Sequence, residues 1–85
     1  MAAKLQIVLD EDAMRFVLAA PATRRRRIMA QLEFLRNHSS DPADFREKDL
    51  SGRWLSVRAL SPFLITYWLD GAVDELRIVD IQHVR

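Results

Sequence analysis

Leu5, Ile7 and Leu9 are interleaved with Lys4, Gln6 and Val8 at the start of the chain. This period of two over residues 4–9 predicts a strand with one face turned to a core. The period then lengthens. Met14, Val17 and Leu18 recur at helical spacing with Phe16 beside them, behind Asp10, whose carboxylate can cap a helix, and Glu11 and Asp12 in the favourable first turn. Pro21 ends this helix after Ala19 or Ala20, because the residue before a proline is pushed out of α geometry. Ile28, Leu32 and Leu35 then repeat at i, i+4 and i+7, with Met29 flanking, which predicts a second helix over 24–37 capped by Thr23. The link is only a few residues long, so the two helices form a hairpin.

Residues 38–52 read as loop, rich in Ser, Asp and Pro at the start and closed by Gly52, with a short helical turn at Ala43–Glu47. Three strands follow: RWLSVRAL (53–60), FLITYWL (63–69) and ELRIVDIQHV (75–84). Ser61-Pro62 separates the first two, and a turn signalled by Asp70-Gly71 the last two. The expected architecture is a two-layer α+β fold of order β-α-α-β-β-β. In it a three-stranded C-terminal meander, joined by the N-terminal strand, packs on the helical hairpin. A lone first strand could not satisfy its own backbone groups, so it must join the sheet. The chain of 85 residues is one domain, 1–85.

Charge adds a second pattern. Residues 1–40 carry seven bases against four acids (+3), and residues 41–85 carry six against eight (−2). Eleven of the thirteen bases are arginine, whose planar fork suits phosphate and carboxylate, although a GC-rich coding sequence yields the same bias. No cysteine is present, which removes disulfides, thiol nucleophiles and thiolate metal sites and fits a reducing compartment. No apolar run approaches the roughly 20 residues that span a membrane, and the first residues do not read as a signal peptide. The expectation is a cytoplasmic protein.

Candidate chemistry is sparse. Arg24, Arg25, Arg26 and Arg27 cover most of the circumference of a helix start, the end where cations are disfavoured. They are either a solvated turn paired with Asp10, Glu11 or Asp12, or a docking patch for an acidic partner or RNA phosphate. His83 and His38 are the only histidines, too far apart in sequence to suggest a metal site, and no cofactor motif exists. His83 is the natural acid–base candidate, with Tyr67 a poorer donor; an edge-strand residue without catalytic duty is the alternative. Strict alternation puts Arg77, Val79, Ile81, His83 and Arg85 on one face and Leu76, Ile78, Asp80, Gln82 and Val84 on the other. Trp54, Tyr67 and Trp68 read as core or interface before a base-stacking platform. Asp41, Asp44, Glu47 and Asp49 alternate with Arg46 and Lys48 and read as a solvated stretch.

The order of these motifs resembles the RelE/ParE toxin superfamily of bacterial type II toxin–antitoxin systems. The resemblance lies in the Leu50-Ser51-Gly52 turn, the Val57-Arg58 strand, the aromatic strand Phe63 to Tyr67, and the aliphatic strand Ile78 to Arg85 with its histidine and arginine. It implies a growth-arresting toxin neutralised by a cognate antitoxin that wraps around it. The resemblance also implies assembly as a homodimer or as part of a toxin–antitoxin hetero-oligomer. RelE-like members are mRNA interferases that inhibit translation by cutting mRNA in the ribosome, and ParE-like members poison DNA gyrase. A toxin-like binding module without activity is a further alternative. On the ribonuclease reading Arg58, His83 and Arg85 converge on one concave sheet face, with Tyr67 beside them; Arg24 to Arg27 and Arg77 bind RNA or a partner. Where such ribonucleases carry an arginine in the aromatic strand, this chain has Leu64.

Overall fold

Residues 5–84 are described by the structure, a computed structural model; Lys4 and Arg85 lie outside the described residues. The elements are β1 (Gln6–Leu9), α1 (Glu11–Ala19), α2 (Ala22–Asn37), β2 (Phe45–Lys48), β3 (Trp54–Leu60), β4 (Phe63–Asp70) and β5 (Glu75–His83). They build one five-stranded sheet in the order β1-β5-β4-β3-β2. β1 runs parallel to β5, and every other neighbour is antiparallel. The two-layer α+β architecture expected from the pattern is therefore present, with one strand more than expected.

That extra strand replaces the helical turn expected at Ala43–Glu47. Phe45–Lys48 pairs with Trp54–Val57, which satisfies backbone groups that a single helical turn would leave open. Two aspartates hold it there. The Asp44 carboxylate accepts the Ala59 N–H at 2.6 Å, and the Asp44 N–H donates to the Val57 carbonyl at 3.0 Å. At the turn, Asp49 Oδ1 accepts the Ser51 N–H, the Ser51 hydroxyl and the Arg53 N–H, at 2.9, 2.6 and 2.9 Å. Gly52 takes the left-handed conformation that the turn requires (φ 87°). The expected solvated stretch is thus, at Asp44 and Asp49, structural.

Both helices pack on one face of the sheet. The core joins Ala13, Val17 and Ala20 of the first helical segment and Ile28, Leu32 and Leu35 of α2 to Phe63, Ile65 and Tyr67 of β4 and Leu76, Ile78 and Ile81 of β5. The α2 stripe is the expected one. The α1 stripe is the expected one only at Val17, with Phe16 partly buried beside it: Met14 and Leu18 are 47% and 68% exposed, and Ala13 and Ala20 are buried in their place. Small alanines allow the helix to lie close to the sheet; Met14 and Leu18 turn outward, while Phe16 packs edge-on to Phe63. The expected caps also differ. Asp10 precedes α1 but makes no capping hydrogen bond; its carboxylate binds Arg77. α2 starts at Ala22 after Pro21, which places Thr23 inside the first turn; proline suits this boundary because its missing N–H would be unpaired there.

A β-bulge at Val79 corrects the expected face assignment of β5. Tyr67 pairs with Ile78 but Thr66 pairs with Asp80, so Val79 is the extra residue. Past the bulge the alternation changes phase. Ile81 joins Leu76 and Ile78 in the core, and Asp80 and Gln82 turn to the opposite, open face.

Candidate functional site

The helices leave the β2–β3 end of the sheet uncovered: of these two strands only Leu60 packs against the helical core. Cross-strand register puts Arg46, Lys48, Trp54, Ser56 and Arg58 on the helix-side face of this overhang. Trp54 is 51% exposed, and its ring is flanked by the Arg46 guanidinium and the Lys48 ammonium, each 4.9 Å from the centroid. Such cation–π contacts contribute about 0.5–1 kcal/mol each at exposed sites. More to the point, they hold two positive charges beside an aromatic surface that still faces water.

Beneath this strip lies a cavity of about 390 Å³ lined by Ser39, Asp41, Arg53, Trp54, Ser56 and Tyr67. Tyr67 is almost wholly buried. Burial pushes its phenol pKa up, against the smaller opposing effects of the Arg58 guanidinium and the Ser56 hydroxyl, so it stays protonated at neutral pH. Arg58 closes the inner end of the strip. It donates to the His38 carbonyl at 3.1 Å and lies 5.7 Å from the Phe34 ring, so it satisfies the C-terminal end of α2.

His83 is elsewhere. It pairs with Phe63, while Arg58 pairs with Ile65, so the two share a sheet face but stand two strands and one row apart, about 12 Å between Cα atoms. Phe63 and Ile65, both fully buried under the helices, fill the space between them. The expected convergence of Arg58 and His83 on one concave face does not occur, because the helical layer covers the middle of that face. Arg85, the third member, lies outside the described residues. His83 instead lines a separate cavity with Arg24 and Arg27.

Arg24 to Arg27 do not pair with the acids of α1. Glu11 and Asp12 bind Arg15, and Asp10 binds Arg77. Arg77, expected to bind RNA or a partner, is held between Asp10 (3.1 Å) and Glu75 (3.0 Å), which raise its pKa further, with Asp10 the larger influence. It ties the start of α1 to β5.

The open face differs in character. Leu55, Val57, Leu64, Thr66 and Val79 line a cavity of about 480 Å³ there, with Asp12, Glu47, Asp49 and Asp80 around it and Lys48 the single cation of its lining. Leu64 therefore points into an acidic, apolar groove on the side away from Arg58. Phosphate would be repelled from this face and attracted to the other. The signal for the Trp54 strip was present in the sequence as the alternation of Arg46 and Lys48. It could be read only once residues 45–48 were known to be a strand.

No known protein-family profile and no curated protein matches this chain in sequence. Its fold, however, is similar to solved structures. A chain of the archaeal RelE–RelB complex from Pyrococcus horikoshii OT3 superposes with a TM-score of 0.66 at 11% identity, covering 95% of this chain and 96% of the other. A chain of the intact E. coli RelBE toxin–antitoxin complex gives 0.60 at 11% identity, covering 95% and 98%. The likeness spans almost the whole of both partners, and the fold is RelE-like.

Proposed function

We propose that this protein is the toxin of a type II toxin–antitoxin pair, held inactive by a cognate antitoxin, and that it inhibits translation by acting on mRNA in the ribosome. The observation that carries the toxin reading is the whole-length fold likeness to chains of two toxin–antitoxin complexes of the RelE type. The Trp54 strip supports RNA as the target. An exposed indole offers a sequence-tolerant stacking surface, and Arg46 and Lys48 beside it neutralise backbone phosphate.

Cleavage on this reading uses the RNA's own 2′-hydroxyl. Its oxygen attacks the adjacent phosphorus, the bond to the 5′-oxygen breaks, the 2′ proton is lost and the 5′-oxygen gains one. Cations at the strip would stabilise the charge that develops on phosphate. Tyr67, held protonated, is a proton donor and not a base. His83 has no part in this chemistry, because it stands at another site.

A second reading has its own support. The separation of His83 from Arg58 takes the expected proton-transfer residue away from the cations of the strip, which favours inhibition by contact, as in a gyrase poison or an inactive toxin-like module. Induction of the chain in cells, with protein synthesis and plasmid supercoiling followed together, distinguishes the two. The proposal expects protein synthesis to collapse with supercoiling unchanged, and arrest to be relieved by co-expression of a partner encoded beside this chain. DNA damage with intact translation would establish the gyrase branch instead.

A further inference from the structure

We propose that His83, Arg24 and Arg27, with Thr23 beside them, form a second site that binds a phosphate group of single-stranded RNA. These residues come from two separate elements: the first turns of α2 and the last residues of β5. They line one cavity of about 290 Å³, with Phe63 as its floor. The imidazole rests against the cavity floor. Its ring stands edge-on to Phe63, with centroids 5.6 Å apart, and Phe63 is itself fully buried. β1 pairs with β5 only as far as Ile78, so among the described residues no strand pairs with the outer edge of β5 beside His83.

Among the described residues, no acid compensates the charges of this cavity. Among the described residues, the ion pairs join Arg15 to Glu11 and Asp12, Arg36 to Glu33, and Arg77 to Asp10 and Glu75. None includes Arg24 or Arg27, and among the described residues no acid lines the cavity. Arg25 is turned to the Ala20 carbonyl at 3.1 Å and is not part of the site. Among the described residues Arg24 and Arg27 therefore make no ion pair that aids folding, and they sit at the helix end where positive charge is disfavoured. Two guanidinium forks, an imidazole and a hydroxyl offer more donors than a carboxylate's two oxygens can accept. They match the oxygens and charge of a phosphate.

The site lies about 20 Å from Trp54, six residues away along β3 and β4 and two strands across, within the span of one short oligonucleotide. The identity of the ligand as RNA rests on the reading of the Trp54 strip. The phosphate site stands on its own geometry and can fail on its own.

The test uses the full chain with labelled histidines, titrated with inorganic phosphate at constant ionic strength and separately with octauridylate. His83 ring resonances should move saturably with both, His38 should not respond, and acetate should have no effect at the same concentration. The double variant R24Q/R27Q relieves charge at a helix start and should fold, as far-UV circular dichroism will show. It should abolish the His83 response, weaken octauridylate binding severalfold and reduce the slope of log K against log salt by about 0.7, the value for one phosphate contact on a single strand. An unresponsive His83, an equal response to acetate, or unchanged affinity and slope in the double variant would overturn the site. If octauridylate still binds normally and Trp54→Ala removes that binding, only this site has failed. If phosphate binds at His83 but octauridylate binds nowhere, RNA is overturned as the ligand.

Discussion

Replacing Arg58 separates a structural role from a functional one, and the structure gives the size of the effect. The side chain donates to the His38 carbonyl at 3.1 Å and stacks near Phe34, with its charge at the C-terminal end of α2. A hydrogen bond from a charged donor contributes about 1.5–3 kcal/mol at most. A cation–π contact adds about 0.5–1 kcal/mol, and a cation at a helix C-terminus about 0.3–1 kcal/mol. These overlap and are partly screened, because Arg58 is only half-buried. A loss of about 1–2 kcal/mol is therefore expected for Arg58→Ala, or about 4–15 °C in Tm for a domain of this size. Arg58→Lys keeps the charge but not the fork and should fall between. Urea denaturation followed by far-UV circular dichroism measures both. Wild-type stability in Arg58→Ala would refute the assignment of Arg58 to the helix end, and would leave it free for direct contact with substrate. If the loss is found, a growth-arrest defect in that variant must be judged against Arg58→Lys, whose fold is better preserved.

Tyr67 is the only tyrosine, so alkaline titration followed at 295 nm reads it alone; its midpoint should lie above the ordinary value of 10.0, and Arg58→Ala should raise it further by removing the neighbouring charge. Because the folded pKa is raised, this contribution to stability is complete below pH 10 and is lost as pH rises through the folded value. Asp49 behaves in the opposite sense: the Ser51 hydroxyl, ahead of the backbone donors, holds its carboxyl below the usual 3.8. Its contribution is complete above that value and is lost as pH falls through the depressed one, so the stability gap between wild type and Asp49→Asn should be constant near neutrality and shrink in acid melts. Trp54→Ala should weaken binding of a fluorescent oligouridylate by about 5- to 150-fold, the range for one stacked base, while Trp54→Phe retains most of it. Equal affinity in all three proteins would show that the strip does not bind RNA.

Much of the fold was legible because its signals are local. Ile28, Leu32 and Leu35 are spaced to bury one helix face, and all three are fully buried. The features without a local signal depend on long-range pairing. FREK carries no apolar alternation, and becomes a strand only because Asp44 and Asp49 bind backbone groups near the ends of the β2–β3 hairpin. The bulge at Val79 has no marker in the sequence, yet it changes the face of every later residue in β5. The same limit applied to the site. Arg58, His83 and the arginine run were all visible as candidates. Which of them meet was not, because α2 crosses the sheet between Arg58 and His83 and brings its own first turn, with Arg24 and Arg27, to the histidine.

Whether the Trp54 strip acts on translated mRNA is decided by mapping new 5′ ends of cellular mRNA within minutes of induction, for the wild-type chain and for the double variant R46Q/K48Q. Abundant new 5′-hydroxyl ends are expected inside translated reading frames with the wild type, and their loss in a double variant that remains folded. Growth arrest with mRNA intact, or cleavage undiminished in R46Q/K48Q, would contradict this action of the strip.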